Sequence, residues 1–167
     1  MHILYTPLTQ EDSPAFFRLA GNPKVAATMR FDCPNTREES DRVLADYLSE
    51  GNRAFALRFH PEDDLWGVFA FKGAPGADTA DLSQMLIPEQ WGRGLGNQIM
   101  ADMTALARRE KWYRTLECHI LETNTASRRM VEKSGFHEIR RLRFPGMTED
   151  LLVYHLELRA DAPSAGK

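Results

Sequence analysis

The sequence predicts one mixed α/β domain, and three observations carry that prediction. Short apolar runs with strand-like alternation recur between segments of helical spacing, in the order β-α-α-β-β-β-α-β-α-β-β, so about seven strands are flanked by about four helices. A glycine-alternating loop, Gly92-Arg93-Gly94-Leu95-Gly96, joins an apolar run to an amphipathic one in mid-chain. No repeat, low-complexity stretch or linker divides the 167 residues, a length that suits a single domain with a sizeable core. The domain is expected over 1–159, with a small polar, Pro/Gly-containing tail over 160–167 that frays.

Residues 2 to 8 read as the first strand. Ser13-Pro14 opens a helix, with proline at the first helical position, and Gly21-Asn22-Pro23 stops it. After a loop, Thr36 begins a second helix with Glu39 three residues on, a capping box, and Val43, Leu44, Tyr47 and Leu48 form its apolar stripe. Residues 53–59 alternate and pair as a hairpin with Trp66 to Lys72 across the turn at Pro61 to Asp64. A fourth strand runs from Asp81 to Ile87 and ends at Pro88. The helix after the glycine loop places Ile99, Met100, Met103, Leu106 and Ala107 on one face. Thr115 to Glu122 is strand-like, with Leu116, Cys118 and Ile120 on one side and Glu117, His119 and Leu121 on the other. A short helix follows from Thr125 to Lys133 and stops at Gly135, and residues 136–144 and 151–158 supply two last strands.

Composition narrows the function classes. A net charge of −3 does not imply a nucleic-acid surface, so the short arginine clusters read as solvated faces. Cys33 and Cys118 have neither metal-ligand spacing nor a disulfide framework, which points to a reduced, cytoplasmic setting without a structural metal. The N-terminus lacks a signal-peptide pattern and no apolar run approaches a membrane span, so no membrane partner is expected.

The glycine loop is where chemistry concentrates. Strand, tight glycine turn and helix start together leave free backbone N–H donors at a partly positive helix end, a site for a phosphate or pyrophosphate. It is not a P-loop, since no Lys-Ser/Thr follows, and it is not the G-x-G-x-x-G dinucleotide fingerprint. By itself the loop is a weak signal, and a plain tight turn between strand and helix is the alternative.

A second segment, Asn124-Thr-Ala-Ser127 followed by Glu132-Lys133-x-Gly135-Phe136, begins just after a strand, and Asn124 can cap its helix. Together with Leu86-x-Pro88-x-x-Trp91-Gly92-x-Gly94-x-Gly96, it resembles the GCN5-related N-acetyltransferase (GNAT) superfamily over most of the chain, most sharply over residues 80 to 136. Trp91 before the first glycine and the Asn124-x-x-Ser127 pattern are similar to the branch that includes the ribosomal-protein N-terminal acetyltransferases. The resemblance implies a central, mostly antiparallel twisted sheet. It also implies acetyl-CoA as co-substrate, no metal, and a primary amine, small molecule or protein N-terminus, as acceptor.

The resemblance assigns the site residue by residue. Backbone N–H groups of Gly92, Arg93, Gly94, Leu95, Gly96 and Asn97 would surround the pyrophosphate, with the Arg93 side chain either adding charge or facing solvent. Met85, Leu86 and Ile87 would pair with the pantetheine amides, and a backbone N–H near Met85 or Leu86 would polarise the thioester carbonyl. Asn124 would contact pantetheine from the other side or serve as a helix cap alone. Asp81 falls where relatives carry a glutamate base, and His119, whose ordinary pKa suits proton transfer, is the alternative. Relatives place a tyrosine general acid before Glu132, where this chain has Val131, so Ser127 is the substitute donor and Tyr154 a further hydroxyl. The missing tyrosine also leaves a second reading, a weak or inactive acyl-CoA-binding regulatory module. Acceptor choice is expected in residues 25–35 and 143–152, where Asp32, Glu149 and Asp150 would attract an amine or be ordinary loop charges. An exposed final edge strand leaves room for a homodimer.

Overall fold

Seven strands, β1 (Leu4–Pro7), β2 (Arg53–Arg58), β3 (Gly67–Lys72), β4 (Thr79–Leu86), β5 (Thr115–Leu121), β6 (His137–Leu142) and β7 (Leu151–Glu157), form one sheet in the order β1-β2-β3-β4-β5-β7-β6. Every neighbouring pair is antiparallel except β4 and β5. Five helices accompany it: α1 (Ser13–Ala20), α2 (Pro23–Ala26), α3 (Arg37–Tyr47), α4 (Leu95–Glu110) and α5 (Thr125–Lys133). This computed structural model describes residues 1–159, so the tail expected over 160–167 lies outside the described residues.

The fifth helix departs from the expectation of about four. Gly21-Asn22-Pro23 does end α1, but the same residues start α2: the Asn22 side chain accepts the Lys24 N–H at 3.0 Å and Pro23 occupies the first turn. A proline that cannot continue one helix is well suited to begin the next. The capping box at α3 is half formed. Thr36 Oγ1 accepts the Glu39 N–H at 3.1 Å, whereas the Glu39 carboxylate takes the N–H of Asn35 at 2.6 Å.

Two apolar layers sandwich the sheet. On one face α4 and α5 bury Ile99, Met100, Met103 and Val131 against Phe69, Phe71, Leu116 and Tyr154. On the other, α1 and α3 bury Phe16, Leu19, Leu44 and Tyr47 against Val68, Ala70 and Met85. β3 alternates between them and is buried on both sides, as a central strand must be. Each large side chain fully withdrawn from water contributes about 1.5–3 kcal/mol.

The feature that makes a site is the parting of β4 from β5. Their parallel register covers Thr79↔Thr115, Ala80↔Leu116 and Asp81↔Glu117 and goes no further. β5 stays paired to β7 as far as Leu121↔Leu151, and β4 stays paired to β3 as far as Leu86↔Gly67. A wedge therefore opens between residues 82–86 and 118–121, bordered by strand edges whose polar backbone groups lack a ladder partner. β4 begins two residues earlier than expected, so Asp81 is not a solvated strand start; it lies within the ladder, between Lys72 and Glu117.

Candidate active site

A cavity of about 930 Å³ fills the wedge, a volume suited to a sizeable organic ligand. Its walls come from the ends of β4 and β5, the glycine loop, the first turns of α4 and α5, and the segment joining α2 to α3.

The glycine loop is fastened before it turns. Pro88–Gln90 forms one 3₁₀ turn, and the Trp91 indole N–H donates to the Leu86 carbonyl at 2.8 Å, tying the loop to the end of β4. Gly92 and Gly94 then adopt φ of +70° and +78°, the left-handed region that side chains resist. A Cβ at either would meet nothing within 4 Å, so conformation and the space above the loop, not packing, require glycine there. Gly96 is glycine for another reason: a Cβ would lie 3.1 Å from Gln84 Nε2 and 3.2 Å from Met130 Sδ, where α4 packs tightly on β4 and α5. Among the described residues, the N–H groups of Gly92 through Asn97 have no backbone acceptor, and α4 begins within this stretch at Leu95. That is a cradle of donors at the positive end of a helix.

Two of the expected contact residues have side chains off the cavity wall. The Arg93 side chain turns to the Gln90 amide oxygen and the Met1 sulfur and does not line the cavity, leaving only its backbone to face a ligand. Ile87 also lies off the wall; its N–H donates to the Trp66 carbonyl at 2.9 Å, on the β3 side. Met85 and Leu86 do line the cavity.

Across the wedge, Asn124 Oδ1 accepts the Ser127 N–H at 3.3 Å and caps α5. The cap uses only the oxygen, so the Asn124 amide N–H groups stay available on the cavity wall, beside Ser127. Val131 is fully buried against the same wall and brings no polar atom. Gln84, a residue the sequence reading passed over, donates to Met130 Sδ at 3.7 Å, while its Oε1 is buried without a partner. A buried acceptor left unpaired is costly, and one on a cavity wall is matched by a ligand N–H.

The opposite half of the cavity is polar and charged. Asp81 and His119, expected as alternative bases, form one unit, of which His119 lines the cavity and Asp81 does not: His119 Nδ1 is 3.0 Å from Asp81 Oδ1, and His119 Nε2 is 3.2 Å from Glu117 Oε1. The Arg30 guanidinium donates to the second Asp81 oxygen. Glu117 Oε2 in turn meets His155 Nε2 at 2.5 Å, so a polar chain crosses β4, β5 and β7 on one face. Burial pushes the Asp81 carboxyl up, but the His119 hydrogen bond and the Arg30 charge outweigh it and hold the group below the ordinary aspartate range. Each His119 nitrogen has a carboxylate partner, so the ring's polar atoms are committed to the unit while its body lines the cavity.

Tyr47 and Ser83 share a hydrogen bond of 2.5 Å on the same half, and burial pushes the Tyr47 hydroxyl up to about 12. In sequence Tyr47 belonged to an apolar stripe and Ser83 to a strand alternation; neither pattern marks a cavity wall. Tyr154 is placed elsewhere, its ring buried in the core and its hydroxyl donating to Glu132 Oε1 at 2.9 Å. The Cys118 thiol reaches the wall, but burial pushes it up so far that it stays protonated.

The arrangement suits a ligand with a pyrophosphate at the loop and an amide-bearing arm along β4, as coenzyme A has. Known proteins were compared with this geometry in hand. Residues 2–137 match the Acetyltransferase (GNAT) domain family. No curated protein matches the chain in sequence. Among solved structures, the chain is similar to spermidine N-acetyltransferase from Vibrio cholerae in complex with CoA and spermine, at 14% identity and TM-score 0.80 over 93% of this chain and 95% of that one. It is also similar to a GNAT-family acetyltransferase from Bacillus anthracis, at 17% identity and TM-score 0.79 over 95% and 96% of the two chains. yncA from Salmonella typhimurium, solved with its cofactor acetyl-CoA, gives 20% identity and TM-score 0.74 over 99% and 100%. At these identities the structural likenesses establish a common fold.

Proposed function

From the premise that this chain belongs to the GNAT acetyltransferase family, and so is an acetyl-CoA-dependent N-acetyltransferase, we propose that it acetylates the primary amine of a small molecule in the cavity between β4 and β5. The observation that carries this reading is the opposition of two unlike halves across one wedge: a cradle of unpaired N–H groups at Gly92–Asn97, and the Arg30–Asp81–His119 cluster on the far side of β4.

The residues divide the work as follows. The loop N–H groups hold the pyrophosphate, and the Gln84 Oε1, the Asn124 amide and the open edge of β4 at Met85 and Leu86 hold the arm. When bound, the thioester supplies an acetyl carbonyl open to attack and a thiolate leaving group. A backbone N–H of β4 near Met85 polarises that carbonyl. The amine must arrive neutral, and its proton passes through water toward the Asp81–His119–Glu117 unit, whose two carboxylates supply the negative charge that receives it. Ser127, whose hydroxyl lines the cavity, donates toward the sulfur in place of the tyrosine that Val131 replaces. Orientation within the wedge supplies much of the remaining rate.

A protein N-terminus as acceptor, the habit of the ribosomal-protein branch, draws support from Trp91 and the Asn124-x-x-Ser127 pattern. Trp91, however, has a local task in tying the loop to Leu86, which weakens its value as a branch marker. The deciding experiment is coenzyme A release measured over small amines and N-terminal peptides. Turnover of small amines is expected. Turnover of peptides alone would overturn the small-molecule reading, and acetyl-CoA binding with no turnover would favour the regulatory one.

A further inference from the structure

The far half of the cavity is lined by three cationic side chains, Arg30, Arg42 and Lys72, and by one carboxylate, Asp46. Resting on the acetyl-transfer reading, we infer that the acceptor amine also carries a carboxylate, and that Arg30 is the residue that receives it.

Arg30 is built for that task. One of its terminal nitrogens donates to Asp81, which is itself held ionised, so the guanidinium is fixed in place. Its other donors have no acceptor among the described residues, and half of the side chain is exposed toward the cavity mouth. A fixed planar fork with a free edge is the usual partner of a two-oxygen anion. Met29, Phe31 and Val43 stand beside it and give an apolar wall for the rest of the acceptor.

The other charges favour the same ligand. Lys72 Nζ is 2.6 Å from Asp46 and sits 3.8 Å over the Tyr47 ring, so the one lining carboxylate already has a cationic partner. Among the described residues Arg42 pairs with Glu38 alone, on the exposed side of α3, where solvent weakens the pair and leaves a positive field at the mouth. A polyamine would add positive charge to this set and find no free carboxylate. An amino acid leaves its carboxylate at Arg30 and its amine free to react.

The test compares matched acceptors with the intact protein and acetyl-CoA: leucine, leucine methyl ester and 3-methylbutylamine; phenylalanine, its methyl ester and phenethylamine; and spermidine. The acids should exceed their esters and decarboxylated partners about 10- to 100-fold in kcat/KM, the range for a lost charge-assisted hydrogen bond. Arg30→Met should collapse that ratio to within about threefold, and Arg30→Lys should keep part of it, each with acetyl-CoA affinity unchanged. Because the ratio is taken within one variant, a general loss of rate through Asp81 cancels. Equal use of esters or of spermidine, or an acid preference that survives Arg30→Met, would overturn the inference. Calorimetric binding of the same compounds to the CoA-loaded protein separates the two levels. Acid-selective binding without turnover would sink the transfer reading and leave this one standing, whereas equal binding of acid and ester would sink this one alone.

Discussion

Asp81 Oδ1 and His119 Nδ1 lie 3.0 Å apart, joined across β4 and β5 where the two strands cease to pair. A single replacement at Asp81 therefore disturbs three things at once: the charge of the carboxylate, the orientation of the His119 ring and the seat of Arg30.

Asp81→Asn should lower kcat by about 100-fold, within the range of general acid–base effects, while acetyl-CoA affinity stays unchanged. It should also change the pH dependence of stability. The folded carboxyl titrates below its unfolded value of about 3.9. Its ion pairs thus stabilise the protein above that value, and the contribution is lost as pH falls through the folded pKa. Urea unfolding of wild type and variant should differ by a constant amount above about pH 5 and converge below about pH 4. A difference that persists in acid would show that Asp81 is not held ionised.

Gly94→Glu should abolish acetyl-CoA binding, by about 100-fold or more in calorimetry, because it places a negative side chain over a donor cradle built for an anion. The added Cβ meets no atom within 4 Å, so the fold should survive with only the strain of a left-handed residue, about 1–2 kcal/mol. Unchanged affinity in a folded variant would remove the loop from coenzyme binding.

Ser127→Ala should reduce kcat by about tenfold with little change in acetyl-CoA affinity, since the Asn124 cap on the Ser127 N–H uses the backbone and is untouched. A loss of affinity equal to the loss of rate would make the hydroxyl a binding contact instead of a proton donor.

All four tyrosines titrate above their ordinary value, chiefly because burial opposes the phenolate, with Tyr47 pushed up to about 12. Ultraviolet titration of the native protein should show its phenolate steps displaced above about pH 10, where free tyrosine ionises. Their protonated forms are favoured by folding, so stability should fall as pH rises above that point and approaches the folded values. A native-state step near pH 10 would contradict the burial of these rings.

Much of the site was legible in the chain because local rules write it. The glycine turn, the start of α4 and the Asn124 cap depend on dihedral freedom and on hydrogen bonds between residues three or four apart, which spacing reveals. The strands and the helix that build the core followed from the alternation of residues 53–59 and the stripe of α4. Even here a local rule had two outcomes, since Asn22-Pro23 both stops α1 and starts α2.

What only the tertiary structure decided is which distant residues share the cavity. Spacing in the chain does not carry sheet order, register or the point at which β4 leaves β5. Those relations bring together Arg30, Asp81, His119 and His155, turn two alternative bases into one hydrogen-bonded unit, and set Tyr47 against Ser83. They also turn Arg93 and Ile87 away from the wall and give Gly96 a packing reason unlike that of its neighbours. The sequence by itself determined a glycine turn at a helix start and a family, because dihedral freedom and residue spacing are local; the parting of two strands determined the chamber and the charges that an acceptor would meet.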